Sequence, residues 1–192
     1  MKNKILVLLI ITIVLLLFPL FYNHYAIDYS EIKIRDVLVT NDNTNVLVYA
    51  RVSHFTPDLE KAILAGVPTT FSFKIEFYQD EEFWFDKRLA QVEVKKNIKY
   101  DQIKKTFYLT SDFERAPAVF QGFDVAWPAI AEINGIPIIN TKHLNQDQKY
   151  YARIKMEWEN YRLPFYAKLI RIFLSFRDFE TDWQSQPFHF QQ

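Results

Sequence analysis

Asp178, Glu180 and Asp182 alternate with Phe179, Thr181 and Trp183 near the end of the chain. On a strand, successive side chains point to opposite faces, so the three carboxylates would share one face. Three hard oxygen ligands there could hold a cation. The plainer alternative is a solvated outer face over an aromatic inner one. Asp80, Glu81 and Glu82 form a second acidic group, read as the polar tip of a hairpin. The most unusual local combination is Phe83-Trp84-Phe85-Asp86-Lys87-Arg88. Read as a strand, it turns Trp84 and Asp86 to the face opposite Phe83 and Phe85, with Arg88 nearby. That arrangement is either an exposed binding patch or a covered second layer. The candidate interaction patch is therefore Trp84, Asp86, Arg88, Asp178, Glu180 and Asp182.

Catalytic signatures are missing from the same sequence. His24, His54, His143 and His189 are scattered, and none has the spacing of a zinc-binding pair. No serine sits in a Gly-x-Ser-x-Gly elbow. Gly66, Gly122 and Gly135 are isolated, so no phosphate loop can be drawn. The chain has no cysteine, which removes disulfides, thiol nucleophiles, thiolate metal sites and a lipid-modified cysteine together. Paired carboxylates for glycoside hydrolysis need a measured separation. No catalytic residue, cofactor or metal site is assigned from the sequence.

The elements that must position the patch read mainly as strands. Ile32 and Ile34, then Val37 and Val39, give a first strand, and the polar run from Asn41 to Asn45 turns it. Val46, Val48, Ala50 and Val52 give its hairpin partner. Phe71, Phe73, Ile75 and Phe77 alternate with Ser72, Lys74 and Glu76 in the clearest strand. Gln79 to Glu82 turns this strand, and Phe83, Phe85, Ala90, Val92 and Val94 make its return. Ile103, Phe107 and Leu109 mark another strand, Ile136 to Ile139 a short one. Ala152, Ile154, Met156 and Trp158 form a further alternating set, and Phe176 to Trp183 closes the series.

Three short helices interrupt these strands. Thr56-Pro57-Asp58 carries start signals, Leu59, Ala62 and Ile63 face inward, and Gly66 stops the helix. A second helix spans about Asp124 to Asn134, with Ala126, Ile130 and Ile133 inward, Pro128 confined to the first turn and Gly135 after it. A third follows Leu163-Pro164, with Phe165, Leu169, Ile172 and Phe173 on one face and Lys168 and Arg171 on the other. The expected fold is mainly β: an antiparallel β-sandwich-like domain of about eight strands with two or three short helices.

Composition and the N-terminus place this domain. With 49% hydrophobic and 17% aromatic residues, the body has ample surface for one core and is not disordered. Basic and acidic residues number 23 each, so there is no basic excess of the kind nucleic-acid binding needs. Residues 5–22 carry no charge, and the apolar run continues to Tyr25. About 20 residues suffice to cross the bilayer as one transmembrane helix. Phe21, Tyr22 and Tyr25 would form its interfacial belt. A secretory signal has a shorter apolar core and a small-residue cleavage site, and Ala26 preceded by His24 is a poor one. An uncleaved anchor over 1–26 is the expected reading, with a cleaved signal as its alternative. Lys2 and Lys4 precede the apolar run, whereas the first charge after it is Asp28. The positive-inside rule then puts the N-terminus in the cytoplasm and residues 27–192 across the inner membrane, in the periplasm. The short linker from Ala26 to Ser30 keeps the domain close to the bilayer.

Lys61-Ala62-Ile63, Gly66-Val67-Pro68, Phe71, Phe73, Phe83-Trp84-Phe85-Asp86, Ile98-Lys99-Tyr100-Asp101 and Tyr108 follow one another in a distinctive order. So do Leu163-Pro164 and Asp178-Phe179, Thr181, Asp182 and Trp183. In order and spacing these resemble the bacterial family known as domain of unknown function 4390, over most of the chain after about Ile32. The resemblance implies a Gram-negative envelope protein with an N-terminal signal or anchor, encoded in many cases beside a sensor histidine kinase. It implies no activity.

The functional expectation is a non-enzymatic accessory module in the envelope, linked to a membrane sensor or complex and binding a protein partner. Its alternative is a domain that binds lipid or another apolar ligand in a groove lined by its aromatic residues. An enzyme acting on envelope polymers is a third reading.

Overall fold

The computed structural model describes residues 32–53, 55, 57–114, 116–160 and 179–190. The anchor expected over 5–25, the helix expected after Leu163-Pro164, and Asp178 lie outside the described residues. Among the described residues no helix is long and apolar enough to cross a membrane. The described residues all fall in one compact unit, Tyr29–Arg162 with Asp178–Gln192.

Ten strands are described: β1 (Ile34–Asn41), β2 (Asn45–Val52), β3 (Thr69–Asp80), β4 (Lys87–Asp101), β5 (Thr106–Ser111), β6 (Ala118–Phe120), β7 (Glu132–Asn140), β8 (Lys149–Asn160), β9 (Phe179–Glu180) and β10 (Gln184–Phe188). Two helices, α1 (Pro57–Leu64) and α2 (Phe123–Ala131), join them. All the strand pairs are antiparallel. One sheet has the order β1-β2-β7; the other runs β10-β8-β3-β4-β5-β6, with β9 added to β8. The fold is mainly β, as the alternation in the sequence predicts.

Two-residue periodicity explains the core. Phe71, Phe73, Ile75 and Phe77 of β3 are buried, as are Ala152, Ile154, Met156 and Trp158 of β8 and Val46, Val48, Ala50 and Val52 of β2. Leu59, Ala62 and Ile63 of α1 are buried with them, and Gly66, at φ +84°, ends that helix as expected. In β1 the apolar residues change phase between Ile34 and Val37. The chain absorbs the change in a bulge between Arg35 and Leu38, with Asp36 at φ +53°. The Asp42 carboxylate then caps the turn into β2, accepting from the Thr44 and Asn45 amides at 2.7 and 2.6 Å.

Several expectations are corrected. Phe83 and Phe85 are not in the return strand, which begins at Lys87. Gln79↔Lys87 is the last β3–β4 pair, so residues between them have no ladder partner on β4. Ile103 lies in the β4–β5 turn and not in a strand. The second helix ends at Ala131, and Ile133 and Gly135 belong to β7. Gly135 is needed there for another reason: at φ +66°, an added Cβ would lie 3.1 Å from the Tyr49 hydroxyl. Pro128 falls inside α2, past its first turn. The missing amide costs one intrahelical bond, tolerated in a helix of nine residues whose inner face is well buried. The closing strand is also misplaced: β9 is two residues long, and β10 follows Trp183.

The two ends of the domain differ. At one end, here called the base, the Ser53 amide donates to the Lys33 carbonyl at 2.8 Å. Phe55 packs on Phe123 and Trp127, whose indole meets Phe71. There Thr69, the first residue of β3, pairs with Asn160, the last of β8. The chain thus enters at Ile32, leaves after Asn160 and returns at Phe179, paired to Trp158, all at the base. At the opposite end, the Thr141 amide donates to the Thr44 carbonyl at 2.8 Å, and Asp80 pairs with Lys149. The β3–β4 hairpin closes there.

Candidate functional site

The face of β3 that points away from Phe71, Phe73 and Phe77 carries Lys74, Glu76 and Tyr78. Sheet register sets Arg153 of β8 opposite Glu76, and Tyr151 opposite Tyr78. A bulge between Phe77 and Tyr78 brings Arg88 of β4 opposite Tyr78, within reach of Glu76. Glu76 is buried. Its carboxylate accepts from Arg153 Nε at 2.6 Å, Arg88 Nη1 at 2.9 Å and the Tyr78 hydroxyl at 3.0 Å. A buried carboxylate is stable only when paired and hydrogen-bonded, and here three donors converge on it.

The layer extends in both directions along the strands. Toward the hairpin tip, Tyr78 and Tyr151 stack with centroids 5.2 Å apart, and the Tyr151 hydroxyl donates to Asp86 Oδ2 at 2.7 Å. Toward the base, the Arg153 guanidinium lies 4.7 Å from the Tyr78 ring centroid and 4.5 Å from that of Trp183. Lys74 and Lys155 are direct cross-strand partners, a repulsive pair by itself. Glu157 neutralises both, at 2.6 and 2.8 Å, and Glu180 adds a second contact to Lys155 at 2.6 Å.

Burial pushes the Glu76 carboxyl up, but the hydrogen bonds from Arg153, Tyr78 and Arg88 outweigh it and hold the group below its ordinary value of 4.5. Burial and the bond to Asp86 push the Tyr151 hydroxyl up to about 12. The bonds to Glu157 and Glu180 raise Lys155. Each shift fixes the protonation state the group already has at neutral pH. The layer therefore holds a constant charge pattern around neutral pH. The pH dependence has a definite sign. Because the folded value of Glu76 is below its unfolded one, its stabilisation is fully present above about pH 4.5 and is lost as pH falls through the lower folded value. Denaturant unfolding of the wild type and Glu76→Gln between pH 7 and 3 checks this: the stability gap is expected to narrow below pH 4.5.

Of the residues the sequence singles out, Asp86, Arg88 and Glu180 join this layer through Tyr151, Glu76 and Lys155. Asp182 does not; it is exposed, beyond the buried Thr181 whose Oγ1 accepts from the Met156 amide at 3.0 Å. Trp84 is also outside the layer. It stands in the hairpin tip with Phe83 and Phe85, at 84%, 89% and 97% exposure respectively. The covered second layer is thereby overturned, and so is the strand geometry that set Trp84 on the face opposite Phe83 and Phe85, since all three rings face solvent. Sequence reasoning missed Glu76, Tyr78, Tyr151 and Arg153. Glu76 and Arg153 are 77 residues apart, and only the pairing of β3 with β8 reveals them as partners.

Among the described residues no group of three or more His, Cys, Asp or Glu side chains could hold a metal ion. The carboxylate of Glu180 is already occupied by Lys155. Beside the tip lies an open cleft of about 400 Å³ lined by Asp80, Lys149, Tyr151, Pro187 and His189, among others.

The geometry defines an antiparallel β domain with a charge-locked outer layer and an exposed aromatic tip. The chain belongs to the family described as a domain of unknown function (DUF4390), whose profile matches residues 29–187. Comparison with curated proteins and with solved structures gave no match.

Proposed function

We propose that this is a non-enzymatic binding module of the cell envelope, held at the outer face of the inner membrane by residues 5–25 and acting on a protein partner. The uncharged run preceding the domain supports the tether, with the N-terminus cytoplasmic and the domain periplasmic. The observation that carries the binding role is the tip: three consecutive aromatic side chains in solvent, where burial would be worth about 1.5–3 kcal/mol for a ring such as phenylalanine. The outer layer supports the same reading, since its charges are fixed in place and oriented by partners.

The alternative of an apolar-ligand binder is less well supported. The aromatic residues it would need, Phe71, Phe73, Phe77 and Trp158, are spent in the core at 1% exposure or less. Amine-reactive cross-linking in intact cells at native expression, followed by affinity recovery, tests the proposal. A reproducible protein partner is expected; recovery at background level would refute it.

A further inference from the structure

Phe83, Trp84 and Phe85 extend from the end of the domain opposite the base. Ile32, Asn160 and Phe179, where the described chain begins, breaks off and resumes, all lie at the base. Strand β3 has 12 residues, and at about 3.3 Å per residue it separates the base from the tip by roughly 40 Å.

The charge around the tip selects among occupants. Asp80, Glu81, Glu82 and Asp86 flank the three rings along the chain, against Lys87 beside them and Lys149, which pairs with Asp80 across the β3–β8 ladder. Glu82 and Lys149 approach only to 3.9 Å and are both exposed. Arg88, the next cation, is committed to Glu76. The rim is therefore net acidic. An anionic lipid surface would be repelled by it, and so would the identical rim of a second copy.

We infer that the Phe83-Trp84-Phe85 tip is a docking element that inserts into an apolar cleft with a basic rim on a different protein. This rests on the binding reading above. Tryptophan and phenylalanine are suited to the role: large rings at the centre of an interface carry much of its energy, and surrounding charges orient the approach. The adjacent cleft lined by Asp80, Lys149 and His189 can receive a side chain from the partner.

The test uses the full-length protein in intact cells, with a photo-crosslinking amino acid placed at Phe83, Trp84 or Phe85. Ile103 serves as the control; it is 93% exposed and sits in the β4–β5 turn at the base. One discrete protein adduct is expected from the tip positions and not from Ile103. Its yield should fall about tenfold or more in Trp84→Ala (probe at Phe85) and in the Glu81→Lys/Glu82→Lys double variant. The partner it identifies, purified, should lose affinity for Trp84→Ala by a similar factor. Adducts to lipid or to a second copy would overturn the inference, as would an adduct unaffected by the charge reversal. If amine-reactive cross-linking recovers a partner while the tip probes stay unlinked, the tip assignment fails and the binding reading stands. If both are silent, both fail.

Discussion

Phe71→Ala should destabilise the domain by about 3–5 kcal/mol, the largest loss expected from a single substitution. The Phe71 side chain is 1% exposed. Its ring lies 6.1 Å from Trp127 in an edge-on arrangement and 6.4 Å from Trp158 in a near-parallel one. It thus connects α2 to the β3–β8 pair. Truncation removes the transfer energy of a full ring and leaves a cavity between two indoles on separate elements, which can collapse only in part. The two aromatic contacts add about 0.5–1.5 kcal/mol each beyond the area they bury. Phe71→Leu keeps most of the volume and should cost well under half as much. Urea unfolding followed by tryptophan fluorescence distinguishes the two variants.

Lys96→Ala should cost about 2–3 kcal/mol, which is unusual for a lysine. Lys96 is on the inward face of β4, between Val94 and Ile98, and is buried. Its Nζ donates to the Ala129 carbonyl at 2.7 Å and to the Glu132 carbonyl at 2.6 Å. These carbonyls lie at the C-terminal end of α2, where helix carbonyls lack amide partners and the dipole favours a cation. Burial lowers the Lys96 pKa from its ordinary value, partly opposed by Glu114 and Glu132. Lys96→Met retains the stem and removes the donors. If capping is the source of the stability, Met should lose most of what Ala loses; if packing is the source, Met should be close to wild type. Thermal unfolding of the three proteins decides between them.

The parts of the fold readable in the sequence are those where one rule acts alone. Along β3, β8 and β2, apolar residues fall on every second position and burial follows them. The helix start at Pro57 and its stop at Gly66 are likewise local. Where two rules compete, the sequence misleads. Phe83 and Phe85 have strand spacing, yet the β3–β4 ladder closes at Gln79 and Lys87 and leaves them in solvent. Lys96 interrupts an apolar alternation that continues to Ile98, so the strand reads as ending at Val94. Ile133 has helical spacing from Ile130, but Pro128 removes an amide and Gly135 supplies a positive φ in β7. The outer layer is less legible still. Asp86, Arg88 and Glu180 stand out as charges next to aromatic residues, but what joins them is Glu76 with Arg153 and Tyr151 with Tyr78. Those pairs exist only once the sheet register is known.

Alkaline extraction of cell membranes, combined with protease treatment of spheroplasts, tests the membrane-tethered module most directly. Full-length protein should remain with the bilayer after extraction, and its domain should be cut from the outside while the cytoplasmic end stays protected. Recovery of the intact chain, first residues included, in the aqueous cytosolic fraction would contradict the account.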